Sequence, residues 1–158
     1  MKRTTWRIAT DAKTYPADDM SGTGAAISGG RWNEEKVPMV YSSTSRALAC
    51  LETFVHLNAG GLPLNRYLVE IEIPEDIWNA AEILDPIALI GWDAEPASMT
   101  SITFGSTWAK SKRSALLMVP SIIVPDELNV LINPLHSDAG RMTGRKIRKW
   151  HYDPRLLK

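Results

Sequence analysis

Ala115-Leu116-Leu117-Met118-Val119-Pro120-Ser121-Ile122-Ile123-Val124-Pro125, followed by Asn129-Val130-Leu131-Ile132-Asn133-Pro134, is the most apolar part of the chain. Three short runs, Ala115–Val119, Ile122–Val124 and Asn129–Ile132, are each cut by a proline, at 120, 125 and 134. Runs of this length bounded by breakers read most simply as three strands. Upstream, Tyr67-Leu68-Val69-Glu70-Ile71-Glu72-Ile73 alternates apolar and polar up to Pro74, the pattern of a half-buried strand. Met39-Val40-Tyr41-Ser42 after Pro38 reads as a short buried strand, and Met1 to Ala9 as another.

One helix is clearly marked. Thr44 or Ser45 offers an N-cap before Arg46 to Leu57, and Gly60-Gly61 stop it. At 100° per residue, Ala47, Leu48, Cys50, Leu51, Phe54, Val55 and Leu57 share a broad face, with Glu52 just beyond its edge and His56 one turn later. A shorter helix is expected around Ser106 to Lys112, within an otherwise mixed stretch from 75 to 114. Residues 10–37, rich in Gly, Asp and Ser, read as a long ordered loop, and such loops inside a compact domain tend to be functional. Strands dominate with a few helices, so the fold class is α+β with a mixed or antiparallel sheet.

The length of 158 residues fits one domain spanning 1–158, with 44% hydrophobic and 23% charged residues typical of a globular protein. A single cysteine, Cys50, forms no internal disulfide and fits a reducing compartment. No apolar segment follows the basic start, and none approaches the roughly 20 residues of a membrane helix, so a cytoplasmic domain without a membrane partner is expected. Lys+Arg and Asp+Glu both number 18, which argues against a global field for nucleic acid. The balance hides a polarity: residues 141–158 carry seven basic groups against Asp153, whereas 14–140 carry seven basic and sixteen acidic ones. Such an end could meet phosphates or an acidic partner. A solvated segment balancing the body is the simpler reading, because no nucleic-acid motif accompanies it.

The glycine-rich stretch Ser21 to Arg31 fits neither common phosphate loop. A dinucleotide fingerprint needs Gly or Ala where Ile27 stands, and a P-loop needs Lys then Ser/Thr where Arg31-Trp32 follow Gly30. A flexible backbone delivering Arg31 remains, and guanidinium suits bidentate phosphate recognition. Glu52 sits at a solvent boundary unless it faces a cleft, where its carboxylate could hold a ribose hydroxyl or stabilise a cation. Three scattered histidines and one cysteine give no metal-ligand spacing. Ser121, in Val-Pro-Ser-Ile, lacks the surroundings of a hydrolase nucleophile.

Gly29-Gly30-Arg31-Trp32-Asn33, Pro38-Met39-Val40-Tyr41-Ser42-Ser43, Ala47 to Glu52, Trp108, Leu117 to Ser121 and Asn129 to His136 together resemble the RES-domain family of bacterial toxins. The Arg, Glu and Ser of its name correspond to Arg31, Glu52 and Ser121, and matching blocks run from Trp6-Arg7 to Asp153-Pro154-Arg155. Lys36 departs from the pattern, standing where the family often has Gly. The resemblance implies a fold similar to ADP-ribosyltransferases and a toxin that degrades NAD+ by hydrolysis or phosphorolysis. Protein ADP-ribosylation is the in-class alternative, and a non-catalytic binding module using the basic end is the alternative from another class. NAD+ would be substrate, with no cofactor or metal, and the partner would be an Xre-type helix-turn-helix antitoxin, with room for a homodimer within that complex. By the same resemblance Arg31 clamps a phosphate, Tyr41 stacks on the nicotinamide or ribose, and Glu52 holds the ribose and stabilises the cation. Ser121 places a hydroxyl on a ribose or phosphate oxygen, and Ser42 and Asn133 line the NAD+ site.

Overall fold

The computed structural model describes residues 1–57 and 61–157. Its elements in chain order are Lys2–Ala9 (β1), Thr23–Ser28 (α1), Val40–Ser43 (β2), Arg46–Phe54 (α2), Tyr67–Pro74 (β3) and Glu75–Asn79 (α3). Glu82–Ile83 (β4), Met99–Ser111 (α4), Leu116–Pro120 (β5), Leu128–Ile132 (β6) and Thr143–Lys149 (β7) complete them. The strands form one sheet in the order β4-β5-β6-β2-β1-β3-β7. Only β4 and β5 run parallel, so the sheet is mixed and the fold is α+β.

The alternation read in Tyr67–Ile73 is what the sheet uses. Val69, Ile71 and Ile73 enter the main core with Leu116, Met118, Val130 and Ile132, whereas Leu68 points to the other face, against Ile8 and Ala49. The continuous apolar run of β5 is buried on both faces: Leu116 and Met118 join that core, and Leu117 and Val119 pack with Trp32, Trp92 and Trp108. A strand flanked by covered faces has no need to alternate.

Four expectations from sequence are corrected. Ile122–Val124 is not a strand but the turn between β5 and β6. The Ser121 hydroxyl accepts from the amides of Ile123 and Val124, both at 3.1 Å, and the Glu127 amide returns to Val124 O. A side chain that captures two amides competes with a ladder. Residues 10–37 include the one-and-a-half-turn α1, which carries no buried residue and therefore no apolar period. The helix expected at Ser106–Lys112 begins seven residues earlier, at Met99. The end of the marked helix also moves: α2 stops at Phe54, and Gly60 lies outside the described residues. Its N-cap is Ser45, whose hydroxyl accepts from the Leu48 amide at 3.1 Å.

The basic end is a mostly exposed sheet edge that balances acids on the body, as expected, but it is ordered as a strand. β7 pairs antiparallel with β3, and its charges find acids on the body: Arg145 with Glu70 at 3.0 Å and Lys146 with Asp11 at 2.8 Å. Arg141 meets Asp76 at 2.9 Å just before the strand. Among the described residues, no helix is long and apolar enough to cross a membrane.

The detail that positions the site is a gap in the ladder. β1 pairs with β3 along its whole length, but with β2 only at Trp6↔Ser43. Beyond that pair the two strands diverge. The opening between them is floored by Arg7, Ile8 and Ala9 on one side and Met39 and Tyr41 on the other.

Candidate active site

The opening is a cleft of about 400 Å³. Its polar wall includes Arg7, Tyr15, Asp19, Tyr41, Glu52 and His56. Glu52 comes from α2, where Leu48 is buried and Cys50 and Phe54 pack inward as the periodicity expects, with Ala49 joining them. Leu48 and Ala49 are buried, whereas Ala47 and Val55 are exposed. The spacing 48, 49, 52 is one helical turn, so placing Ala49 against Ile8 and Leu68 turns Glu52 toward the gap between β1 and β2.

Glu52 is held by two donors on a single oxygen. Its Oε1 accepts from Ser121 Oγ at 2.6 Å and from Asn129 Nδ2 at 2.7 Å. Asn129 is itself fixed by Ser43, whose Oγ donates to Asn129 Oδ1 at 2.7 Å, across the β2–β6 register pair Ser43↔Asn129. Among the described residues Oε2 takes no hydrogen bond, and it is not sealed from solvent. The result is a carboxylate of fixed orientation with one free oxygen beside a cleft.

Tyr41 is fixed as firmly. Its hydroxyl donates to Asn33 Oδ1 at 2.6 Å and accepts from the Trp32 amide at 3.0 Å. Asn33 is locked in turn by bonds from its Nδ2 to the carbonyls of Ala25, Glu34 and Val37. A Cβ on Gly30 would come within 2.7 Å of the Tyr41 oxygen, so glycine is required for this approach. Burial pushes the phenol well above its ordinary value, partly opposed by the Trp32 amide and the Arg31 charge. The hydroxyl therefore stays protonated, and with both its bonds spent it leaves the ring as the part of Tyr41 offered to a ligand.

Arg7 was not singled out from sequence, yet it brings a half-buried guanidinium to the cleft. Its Nη1 donates to Asp19 O at 3.1 Å, the one hydrogen bond it makes among the described residues. Burial lowers its pKa, opposed by the charges of Asp19, Tyr15 and Asp18. A guanidinium has five donors, and one this desolvated with four unused is suited to an anionic ligand. The available signal was an arginine in the alternating strand Trp6-Arg7-Ile8, on the same pleat side as Thr5 and Ala9.

Of the remaining expected site residues, Ser42 alone borders the cleft, and Arg31, Ser121 and Asn133 do not line it. Arg31 does not line the cleft: its Nη1 donates to Trp92 O at 3.2 Å and Ala94 O at 2.6 Å, and its Nη2 pairs with Glu95 Oε2 at 2.6 Å. Ser121 is fully buried, with its hydroxyl committed to Glu52. Ser42 borders the cleft, but its hydroxyl donates to Val130 O at 2.8 Å. Asn133 is fully buried away from the cleft, bonding Ala109 O and the Leu135 amide, both at 3.0 Å. No group of three or more His, Cys, Asp or Glu that could hold a metal occurs among the described residues.

Comparisons with known proteins point to one family. The RES domain model matches residues 4–154. The chain is 65% identical over 154 residues to a protein of Sphingobium sp. (strain YBL2) named "Prs ADP-ribosylating toxin", covering 97% of this chain and 96% of that one. It is 42% identical over 125 residues to "Toxin Res" of Photorhabdus laumondii, covering 78% of each. Among solved structures, a chain of the Mycobacterium tuberculosis MbcT–MbcA toxin–antitoxin complex superposes with a TM-score of 0.61 at 17% identity, over 99% of this chain and 87% of that one. That similarity speaks to the fold, which the two share. With the domain model spanning nearly the whole sequence, the chain belongs to the RES-domain family.

Proposed function

We propose that this protein is the toxin of a toxin–antitoxin pair and that it breaks the nicotinamide–ribose bond of NAD+. The observation that carries the reading is Glu52: a carboxylate pinned through Oε1 with Oε2 free at a cleft that also holds a half-buried guanidinium. Nicotinamide leaves from NAD+ as a neutral molecule, because the C1′–N electron pair discharges its cationic ring. The step needs little acid catalysis, and its cost is the oxocarbenium character left on the ribose. A fixed carboxylate beside that carbon stabilises the charge as it develops, without reorganising. The acceptor then adds to C1′ and releases its proton. Arg7 binds a phosphate of the dinucleotide, the Tyr41 ring packs on the nicotinamide or ribose, and Ser121 and Asn129 act through Glu52 by holding it. Ser42 and Asn133 serve the framework.

Support for the toxin role comes from the names of the relatives and from the complex in which the fold neighbour was solved. The partner proposed is an Xre-type helix-turn-helix antitoxin. The acceptor is water or phosphate in the first reading. The name of the 65% identical relative favours a second, transfer of ADP-ribose to a protein. Incubating the purified protein with NAD+, with and without phosphate and with and without added cell extract as a source of acceptor proteins, should release nicotinamide. No release from a folded sample without extract contradicts the first reading, and none with extract contradicts both. NAD+ labelled in the adenylate then separates them: label on small products means degradation, and label on protein means transfer.

A further inference from the structure

The arginine of the Gly29-Gly30-Arg31-Trp32-Asn33 block is engaged away from the cleft, and what engages it is specific. We infer that Arg31 is a positioning residue that sets Tyr41 by bolting the turn at 30–33 to the segment 92–95, and that it makes no contact with substrate. This rests on the NAD+-cleaving reading of the cleft.

The chain of contacts is continuous. The guanidinium takes two backbone carbonyls, Trp92 O and Ala94 O, and the Glu95 carboxylate. The next residue's indole stacks on the same segment, Trp32 on Trp92 with centroids 6.4 Å apart and planes 19° from parallel. The turn between them is closed by the Gly30↔Asn33 bridge. The peptide joining Arg31 to Trp32 donates its N–H to the Tyr41 hydroxyl, and Asn33 accepts from the same hydroxyl. Both bonds that orient Tyr41 therefore come from the turn that Arg31 anchors. The Arg31 side chain is 17% exposed, and its Glu95 partner is 73% exposed. An ion pair open to water on one side contributes little, so the two carbonyl bonds carry most of the anchoring. Lysine has one charged nitrogen at the end of a flexible stem and does not reproduce a fork that spans both carbonyls and a carboxylate.

A phosphate clamp and an anchor make different demands. Removing a clamp weakens NAD+ binding. Removing an anchor displaces Tyr41, and a misplacement of about 1 Å far from the chemistry can cost about 10²-fold in rate. The test uses Arg31→Ala, Arg31→Lys, Glu95→Gln and Tyr41→Phe in the full chain, with two readouts. The first is hydrogen exchange at the Trp32 amide, which needs no substrate. Arg31→Ala should deprotect it, Arg31→Lys should do so partly, and Glu95→Gln should leave it near wild type. The second is nicotinamide release: Arg31→Ala should lower kcat with KM for NAD+ little changed, and Arg31→Ala/Tyr41→Phe should lose no more than the worse single variant, as coupled residues do. Should Arg31→Ala raise KM with kcat retained, multiply with Tyr41→Phe, or leave the Trp32 amide protected, the anchor is wrong. If the wild type releases no nicotinamide, the amide exchange still decides the anchor, so failure of the enzymatic reading is distinguished from failure of this one.

Discussion

Arg7 and Lys36 show at the residue scale how much depends on a single side chain's surroundings. Arg7 donates one hydrogen bond, to Asp19 O, and its remaining donors face a cleft where burial disfavours its charge. An anionic ligand restores what desolvation removes. Arg7→Lys keeps the charge and loses the fork, and a hydrogen bond to a charged group is worth about 1.5–3 kcal/mol. NAD+ binding should therefore weaken by roughly 10–100-fold, read as a higher KM with kcat less affected; unchanged KM would remove Arg7 from the phosphate site. Lys36 has φ of 75°, in the left-handed region, and its amide donates to Ala26 O at 2.7 Å. Glycine adopts this dihedral without strain, which fits the glycine that the family resemblance expects here. The left-handed form costs an L-residue roughly 1–2 kcal/mol, partly offset because glycine loses more entropy on folding. Lys36→Gly should raise stability by about 0.5 kcal/mol in urea unfolding, and a loss of stability would show that the lysine side chain compensates locally.

At the scale of elements, β7 and the loop before α1 act together. Lys146 on β7 donates to Asp11 at 2.8 Å, and its amide donates to Asp18 at 3.2 Å, so the strand holds the segment that brings Tyr15 and Asp19 to the cleft. The Lys146 hydrogen bond, then the Ala17 amide, keep the Asp11 carboxyl below its ordinary value. A lowered carboxyl pKa stabilises the fold above the unfolded value of about 3.9 and stops doing so as pH falls through the folded value. Asp11→Asn should be less stable than wild type near pH 7 and converge with it once the pH has fallen below the lowered carboxyl's own pKa. An equal gap at both pH values would mean the charge is not what matters.

These elements also mark what sequence could and could not reveal. The alternation of Tyr67–Ile73 and the runs of β5 and β6 were legible because burial on a sheet imposes a period or a continuous apolar stretch. Glu52 was legible as a candidate, but the reason it faces the cleft was not. That reason is tertiary: Ala49 packs with Cys50 and Phe54 against Ile8 and Leu68, which leaves Glu52 on the side of the helix beside the gap. Arg31 and Ser121 could be picked out but not placed. Their partners, the carbonyls of Trp92 and Ala94 and the Glu52 carboxylate, lie more than sixty residues away in the chain. The Ile122–Val124 strand failed because Ser121 and Pro125 together outcompete a ladder, one by capturing amides and the other by lacking one.

At the scale of the whole molecule, the sheet parts between β1 and β2 and α2 brings one carboxylate to the gap. The cation supported by Glu52 exists only near the transition state, so its charge should matter to turnover and hardly to binding. Losing one such preorganised contact typically costs roughly 10²–10³ in rate. Glu52→Gln keeps the shape and can still accept from Ser121 and Asn129 through its amide oxygen. The most direct measurement is nicotinamide release from NAD+ by wild type and Glu52→Gln side by side, with NAD+ affinity measured on the same samples. The account predicts release by the wild type, a loss of about 10²–10³-fold in kcat for the variant, and affinity within a few-fold of wild type. A Glu52→Gln protein that releases nicotinamide at the wild-type rate would contradict it.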